Sequence, residues 1–170
     1  MNAGAYGRDW SAVVVEALVA GPGGIRMLSV DELELSYRHS GLASGEVVAQ
    51  VRFRLTPRAP AVIRAEVAEL LAQRKATQPT NKRTFGSVFK NPPGEPGAGR
   101  MIEETGLKGH RIGGALISPR HANFIENAGS ATSADAVALM VEARRRVREQ
   151  FGVALEHEVR FLGPLALPPL

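Results

Sequence analysis

Apolar and polar residues alternate most regularly between residues 47 and 55. The apolar side consists of Ala49, Val51, Phe53 and Leu55, and the polar side consists of Gln50, Arg52 and Arg54. Because successive side chains of a strand point to opposite faces of its sheet, this pattern predicts a half-buried β-strand.

Two apolar stretches upstream, at residues 12–20 and 25–30, flank the turn Gly21-Pro22-Gly23-Gly24. Glycine and proline between two runs of strand-forming residues are typical of a hairpin. We therefore predict two antiparallel strands before the alternating one.

A helix is predicted to begin at Pro60, because proline fits the first turn of a helix. Its apolar stripe contains Ile63, Val67, Leu70 and Leu71. These positions recur at helical spacing, so they share one face of the helix.

Two further helices are predicted from their end signals. The first covers residues 98–105 and would end at Gly106, since glycine tolerates the left-handed conformation that follows a helix. The second covers residues 134–151, with Thr132 or Ser133 as its N-cap and Gly152 after its last turn.

Three more strands are predicted in the second half, at residues 112–118, 123–127 and 155–162. Gly113-Gly114 interrupts the first with residues too small to fill space, which indicates a close approach of backbone or ligand. In the last strand, Glu156, Glu158 and Arg160 would share one face, and His157, Val159 and Phe161 the other. A face with two acids and a cation is either solvated or part of a charged site.

Composition narrows the classes of function. The 170 residues contain no cysteine, which excludes disulfides, thiol catalysis and cysteine-ligated metals, and four histidines do not favour a metal site. The net charge of +4 favours an anionic partner, but only 5% of residues are aromatic, so a stacking surface for single-stranded nucleic acid is not expected. No membrane span or signal segment is predicted, and we expect a cytoplasmic protein with neither a nucleic-acid nor a membrane partner.

The loop at residues 86–92 reads Gly-Ser-Val-Phe-Lys-Asn-Pro. It combines a flexible residue, a hydroxyl, a cation and an amide, a set that suits a binding or catalytic site. The alternative is a polar connection without a further role. Taken alone, the loop favours the polar connection, because clusters of Gly, Pro and Asn are ordinary in turns.

Several stretches in this order resemble one family, the UDP-N-acetylenolpyruvoylglucosamine reductases, also called UDP-N-acetylmuramate dehydrogenases. They are Asn2-Ala3-Gly4-Ala5-Tyr6-Gly7, Tyr37-Arg38-His39-Ser40, the loop at 86–92, residues 106–115, His121-Ala122-Asn123-Phe124-Ile125 and Leu155-Glu156-His157-Glu158-Val159-Arg160. The resemblance extends to about Gly163, and its specificity comes from the ordered set.

The resemblance implies a flavoenzyme of peptidoglycan synthesis. NADPH would reduce a bound FAD, and UDP-N-acetylglucosamine enolpyruvate would then accept a hydride and a proton to give UDP-N-acetylmuramate. By motif position, Ser87 is the implied proton donor, Glu158 is the acid beside the enolpyruvyl group, and Arg38 polarises the substrate carboxylate.

The resemblance also suggests binding residues and a domain plan, while no metal is expected. The implied substrate contacts are Tyr37, Lys90, Asn91, His121, Asn123 and Arg160, and the implied cofactor contacts are Asn2, Ala3, Gly4, Ala5 and Gly7. The expected fold is α+β. Residues 1–58 would form part of a flavin-binding domain with a mixed sheet, and residues 59–170 a substrate-binding domain of antiparallel sheet with helices on one face. The last strand, residues 155–162, would return toward the flavin domain.

The sequence departs from the family at its start, since the family's Gly-rich flavin-binding segment would lie upstream of Met1. Three hypotheses therefore remain. The chain is a flavin-dependent reductase, or a truncated UDP-sugar binding module without redox chemistry, or a basic nucleic-acid binder. The last depends only on net charge and on the arginines at residues 144–148. A solvated helix face, with favourable dipole interactions at the helix C-terminus, explains those arginines better.

Overall fold

The computed structural model describes residues 1–94 and 96–169. The chain divides into two compact units, Met1–Pro60 and Ala61–Leu170. The predicted substrate-binding region includes Glu95 and Leu170, which lie outside the described residues. The division lies near the predicted boundary after residue 58, and the assignment of a cofactor to one part and a substrate to the other stays a prediction.

The first unit contains two small sheets. Strands β1 (Gly4–Ala5) and β2 (Arg8–Asp9) form a short hairpin, followed by a 3₁₀ turn at Trp10–Ala12. Strands β3 (Val14–Gly21), β4 (Gly24–Ser29) and β5 (Val47–Phe53) form a sheet in the order β4-β3-β5.

The Gly-rich hairpin predicted at residues 21–24 is confirmed, because Gly21 pairs with Gly24 at the end of β3 and β4. The sheet expected to be mixed differs in one respect. Both of its strand pairs, β3 with β4 and β3 with β5, are antiparallel. The hairpin at Gly21–Gly24 makes β3 and β4 antiparallel, since parallel pairing needs a long crossover.

Strand β5 forms as predicted, but most of its apolar side is not buried. Val51 packs against the apolar cluster of this unit, whereas Phe53 is 43% and Leu55 71% exposed. The half-buried assignment is therefore wrong for these positions. The reason is that β5 is an edge strand, while the cluster centres on Ala17 and Val19 of the middle strand β3.

The described residues of the second unit form three helices and one sheet. The helices are α1 (Pro60–Thr77), α2 (Ala98–Glu104) and α3 (Ser133–Phe151). Strands β6 (Thr84–Ser87), β7 (Arg111–Ile112), β8 (Ala115–Ile117) and β9 (Phe124–Asn127) form an antiparallel sheet in the order β6-β9-β8-β7.

Helix α1 begins at Pro60 as predicted, but no residue along its length is buried. Ile63, Val67 and Leu71 of the predicted stripe are 43%, 48% and 51% exposed. The apolar stripe is therefore largely exposed to solvent. Helical spacing records which residues share a face, whereas burial needs a neighbouring element to pack on that face.

The core of the second unit lies between α2, α3 and the sheet. Ile102 of α2, Ile117 of β8 and Leu139 and Val147 of α3 are almost completely buried there. Val88 and Phe89 of the 86–92 loop belong to the same cluster. The loop is therefore anchored by apolar side chains, which fixes the polar residues beside them.

The strand predicted at residues 112–118 is divided into β7 and β8 by a turn at Gly113-Gly114. A Cβ atom on Gly114 would lie 2.3 Å from the backbone nitrogen of Ala131, so only glycine fits beneath the segment that leads into α3. The predicted close approach is confirmed, and its partner is this chain's own backbone.

The strand predicted at residues 155–162 is not present. His157 forms a single β-bridge with Phe89, and the surrounding residues have no regular strand structure. The reason is that the segment with which it pairs, residues 88–90 directly after β6, is only a few residues long. Alternation of residue types predicts two faces but not the length of the available partner.

The α+β class is confirmed, with α2 and α3 packed in one core with the antiparallel sheet of the second unit. Among residues 1–94 and 96–169, no helix combines the length and the apolar content that crossing a bilayer requires.

Candidate functional site

Ser87 is the last residue of β6 and lies opposite Phe124 of β9. The register between the two strands shifts between Thr84 and Ser87, and Gly86 has a φ of +86°. This left-handed conformation suits glycine. The irregularity leaves Ser87 exposed at the point where the strand ends.

The residues that follow Ser87 pair with the C-terminal segment. The Lys90 N–H donates to the Glu156 carbonyl at 2.9 Å, and the Glu158 N–H donates to the Val88 carbonyl at 2.8 Å. Ser87 and Glu158 therefore lie on adjacent backbone segments. The fold of the second unit therefore brings the backbone segments that carry these two residues side by side.

Lys90 and Glu156 strengthen this pairing with an ion pair between their side chains. Because both side chains reach solvent, the pair contributes at most a small stabilisation. The Lys90 ammonium is thus held at the edge of the same segment.

The two asparagines of the implied substrate set make backbone contacts. Asn91 Oδ1 accepts a hydrogen bond from the Ala98 N–H at 3.0 Å, at the start of α2. Asn123 is buried, and its amide bonds to the backbone of Phe89 on both sides. These side chains order the loop around Ser87.

His121 lies between α2 and β9. Its ring packs edge to face on Phe124 with 5.0 Å between centroids, and a Cβ atom on Gly99 would come within 2.8 Å of its Cε1. Burial lowers the pKa of His121 below its ordinary value of 6.5, and the charge of Lys108 lowers it further. The imidazole is therefore neutral at pH 7. In this form it can contact a ligand through hydrogen bonds but not through an ion pair.

A basic cavity of about 450 Å³ lies next to this loop. Gly86, Thr84 and Phe124 line it, together with Arg74, Lys75 and Lys82. None of these three cations was among the site residues predicted from the sequence. They could have been found as a cluster of positive charge that ends α1 and precedes the loop. A cavity of this size and charge suits a phosphorylated ligand.

Arg160 lines a different cavity of about 490 Å³. Its walls include Thr132 and Met140 of the α3 region and Phe161. Glu158, two residues earlier in the chain, is not among the residues that line this cavity. The implied role of Arg160 in substrate binding stays a prediction.

The arginines at the end of α3 bind acids of the same helix. Arg145 and Arg146 both donate to Glu142, and Arg145 also bonds Glu149. The hydrogen bonds from these two arginines lower the pKa of Glu142 to about 2. These contacts match a solvated helix face.

In the first unit, Arg38 lies in a tight turn closed by the bridge between Ser36 and His39. Its φ is +55°, and its guanidinium carbon lies 5.0 Å from the ring centre of Tyr37. Asn2 is buried and fixes the same turn, donating to the Ser36 carbonyl at 3.2 Å. Asn2, an implied cofactor contact, is therefore hydrogen-bonded to the turn that contains Arg38, the implied contact of the substrate carboxylate.

Comparison with known proteins places this geometry in context. Residues 78–162 match the profile of the family described as UDP-N-acetylenolpyruvoylglucosamine reductase, C-terminal domain. The reductase of Anaeromyxobacter dehalogenans is 48% identical over 163 residues, which cover 96% of this chain and 49% of the relative. That of Novosphingobium aromaticivorans is 44% identical over 164 residues, covering 96% and 55%.

A solved structure has the same fold. The UDP-N-acetylenolpyruvylglucosamine reductase of Thermus caldophilus superposes with a TM-score of 0.81 at 39% identity, covering 94% of this chain and 57% of that protein. The chain spans about half the length of the curated relatives it matches.

Proposed function

The chain belongs to the family of UDP-N-acetylenolpyruvoylglucosamine reductases, and from this premise we propose the activity that its site serves. It takes part in the NADPH-dependent reduction of UDP-N-acetylglucosamine enolpyruvate to UDP-N-acetylmuramate, with FAD as cofactor. This places it in the synthesis of peptidoglycan precursors.

The observation that carries the proposal is the pairing of the segment after Ser87 with that of Glu158, through the 2.8 Å bond from the Glu158 N–H to the Val88 carbonyl. A hydroxyl and a carboxylate on adjacent segments can act on one substrate group. Lys90 on the same segment and the basic cavity beside Gly86 supply positive charge for a nucleotide diphosphate.

Residues of the β1–β2 hairpin fit an edge of FAD. Ala3, Ala5 and Gly7 are exposed, Gly7 has a φ of +73°, and a Cβ atom there would meet nothing within 4 Å. Small residues around open backbone allow a planar or phosphorylated group to approach closely. With Asn2 and Gly4 they form the proposed cofactor contacts, and bound FAD would supply hydride equivalents from NADPH.

The proton and the charge are handled by the chain's own residues. Ser87 Oγ donates its proton to the substrate carbon next to the one that receives hydride, and exposed Ser87 regains a proton from water. Glu158 stabilises the enol form. Arg38, included on the family resemblance, binds the substrate carboxylate, onto which negative charge spreads during the reaction. Tyr37, His121 and Arg160 complete the proposed substrate contacts.

Turnover tests this proposal. The purified chain, supplied with FAD and NADPH, should oxidise NADPH only when UDP-N-acetylglucosamine enolpyruvate is present. Ser87→Ala should lower the rate by about 10²- to 10⁴-fold, as expected for loss of a general acid. The matched control is Ser44→Ala, at an exposed serine of the first unit. A colourless protein without turnover would contradict catalysis by this chain.

A second candidate is a UDP-sugar binding module without redox chemistry. It is favoured by the family match at residues 78–162, which covers the C-terminal domain alone. Calorimetry with the same UDP-sugar distinguishes the two candidates. Heat of binding without turnover supports the module, and no heat at millimolar ligand rules it out.

A further inference from the structure

The side chain of Asn123 takes the place of a strand beside the loop that follows Ser87. Its Oδ1 accepts from the Phe89 N–H at 2.9 Å, and its Nδ2 donates to the Phe89 carbonyl at 2.8 Å. The side-chain amide of Asn123 therefore binds both the N–H and the carbonyl of Phe89. Only one orientation of the amide satisfies both, because the reverse would oppose donor to donor and acceptor to acceptor.

The contact is buried and is reinforced by the backbone. Asn123 is 4% and Phe89 2% exposed, and the Val88 N–H donates to the Asn123 carbonyl at 2.9 Å. Buried polar groups that lose their partner are costly, so neither Phe89 group is readily released. The backbone edge of residues 88–90 that faces β9 is therefore hydrogen-bonded to Asn123 at two consecutive residues, Val88 and Phe89.

The opposite side of the same residues binds the C-terminal segment. The Val88 carbonyl and the Lys90 N–H pair with Glu158 and Glu156. Residues 88–90 thus form the middle of a ladder, with Asn123 on one edge and residues 156–158 on the other. The position of Glu158 relative to Ser87 depends on this middle segment.

From this ladder we infer that Asn123 is a positioning residue, which holds residues 88–90 in register and so aligns Ser87 with Glu158. This differs from the direct substrate contact that the sequence implied for Asn123, because both of its polar groups are used within the chain. Its consequence for substrate affinity rests on the proposed function, whereas the coupling between backbone segments does not.

Amide hydrogen exchange tests the coupling in the ligand-free chain. Asn123→Leu removes both bonds at similar volume, and Asn123→Asp keeps the acceptor but opposes an oxygen to the Phe89 carbonyl. Exchange protection at the Lys90 and Glu158 amides should fall by at least about tenfold in both variants, since loss of a buried hydrogen bond is worth that factor or more.

The Ile117 amide, which donates to the His110 carbonyl in the sheet, reports global stability and should fall less. Asn81→Asp, at an exposed turn position, is the matched control and should leave all these amides unchanged. Equal loss at Ile117, unchanged protection at Glu158, or no protection of Lys90 and Glu158 in the parent chain would each overturn the inference.

Affinity provides the second arm. Both Asn123 variants should bind UDP-N-acetylglucosamine enolpyruvate at least about tenfold more weakly than the parent chain, because a misaligned loop no longer presents Lys90. Parent-level affinity in a variant whose exchange has changed would contradict a role in the site. A parent chain that does not bind would instead contradict the proposed function, and the exchange result would stand separately.

Discussion

At the scale of single residues, the side chains around Ser87 differ in how many of their polar groups are already used. Asn123 and Asn91 bond to backbone and order the loop. His121 accepts a bond from the Asn123 N–H through Nδ1 at 3.2 Å, in a half-buried position next to Phe124. Burial and the nearby Lys108 lower its pKa, so its protonation is linked to stability.

The pH dependence of stability follows from this shift. In the unfolded chain His121 takes up a proton near its ordinary pKa of 6.5, whereas the folded chain resists protonation until lower pH. The free energy of unfolding should therefore fall as pH drops through 6.5 toward the folded pKa, and stay constant above it.

Urea denaturation at pH 7.5 and 5.0 measures this effect. His121→Gln should lose less stability between the two pH values than the parent chain does, because glutamine does not titrate. His39→Gln, at an exposed position of the first unit, should behave like the parent. An identical loss in parent and His121→Gln would show that burial of His121 is not the cause.

At the scale of elements, α3 has the most complete set of local signals. Thr132 Oγ1 accepts from the Asp135 N–H at 3.1 Å, and Asp135 Oδ2 accepts from the Thr132 N–H at 2.9 Å. This capping box begins the helix, and Gly152, with a φ of +70°, follows its last residue. Asp135 Oδ2 also accepts from the Gly114 N–H at 3.2 Å, which connects the cap to the β7–β8 turn.

Removing the cap should destabilise the second unit measurably. Thr132→Ala loses the bond to the Asp135 N–H and should lower the free energy of unfolding by about 1 kcal/mol, as measured by urea denaturation. Ser133→Ala, at the next position, leaves the capping box intact and should change it by less than about 0.5 kcal/mol. Equal effects of both substitutions would contradict the assignment of Thr132 as N-cap.

At the scale of the whole molecule, the chain consists of two compact units, Met1–Pro60 and Ala61–Leu170. Residues 54–59, between β5 and α1, are exposed and have no regular secondary structure. Exposed segments of this kind are the preferred sites of proteolysis. Each unit also has its own apolar cluster, centred on Val19 in the first and on Leu139 in the second.

Limited digestion with trypsin should therefore cut first after Arg54 or Arg58. Mass spectrometry should detect a fragment that begins at Leu55 or Ala59 before any cut within α3, although α3 contains several arginines. Those sites lie in a helix packed on the core. Early cleavage within residues 133–151 would contradict this account of local stability.

Local chemistry explains which predictions from the sequence were confirmed. The hairpin at Gly21–Gly24, the N-cap Thr132 and the helix-ending Gly106 and Gly152 depend on residues close in the chain. Each signal reflects a conformational preference that acts within a few bonds. The motifs around Ser87 and Glu158 likewise indicated the family that the comparisons then showed.

Burial and pairing could not be predicted in this way. The exposed sides of β5 and α1, and the replacement of the strand at 155–162 by one bridge, depend on which surfaces meet. The basic cavity unites Arg74, Lys75 and Lys82 with the Gly86 loop only in the folded chain.

The sequence by itself determined the fold class, the helix ends, the main hairpin and the family, because turn and cap preferences and ordered motifs act locally. Only the tertiary structure decided that Lys90 and Glu156, 66 residues apart, form one ladder with Asn123. The physical reason is that an amide can serve a ligand or a backbone equally well, and its choice depends on which groups the folded core brings within hydrogen-bonding distance.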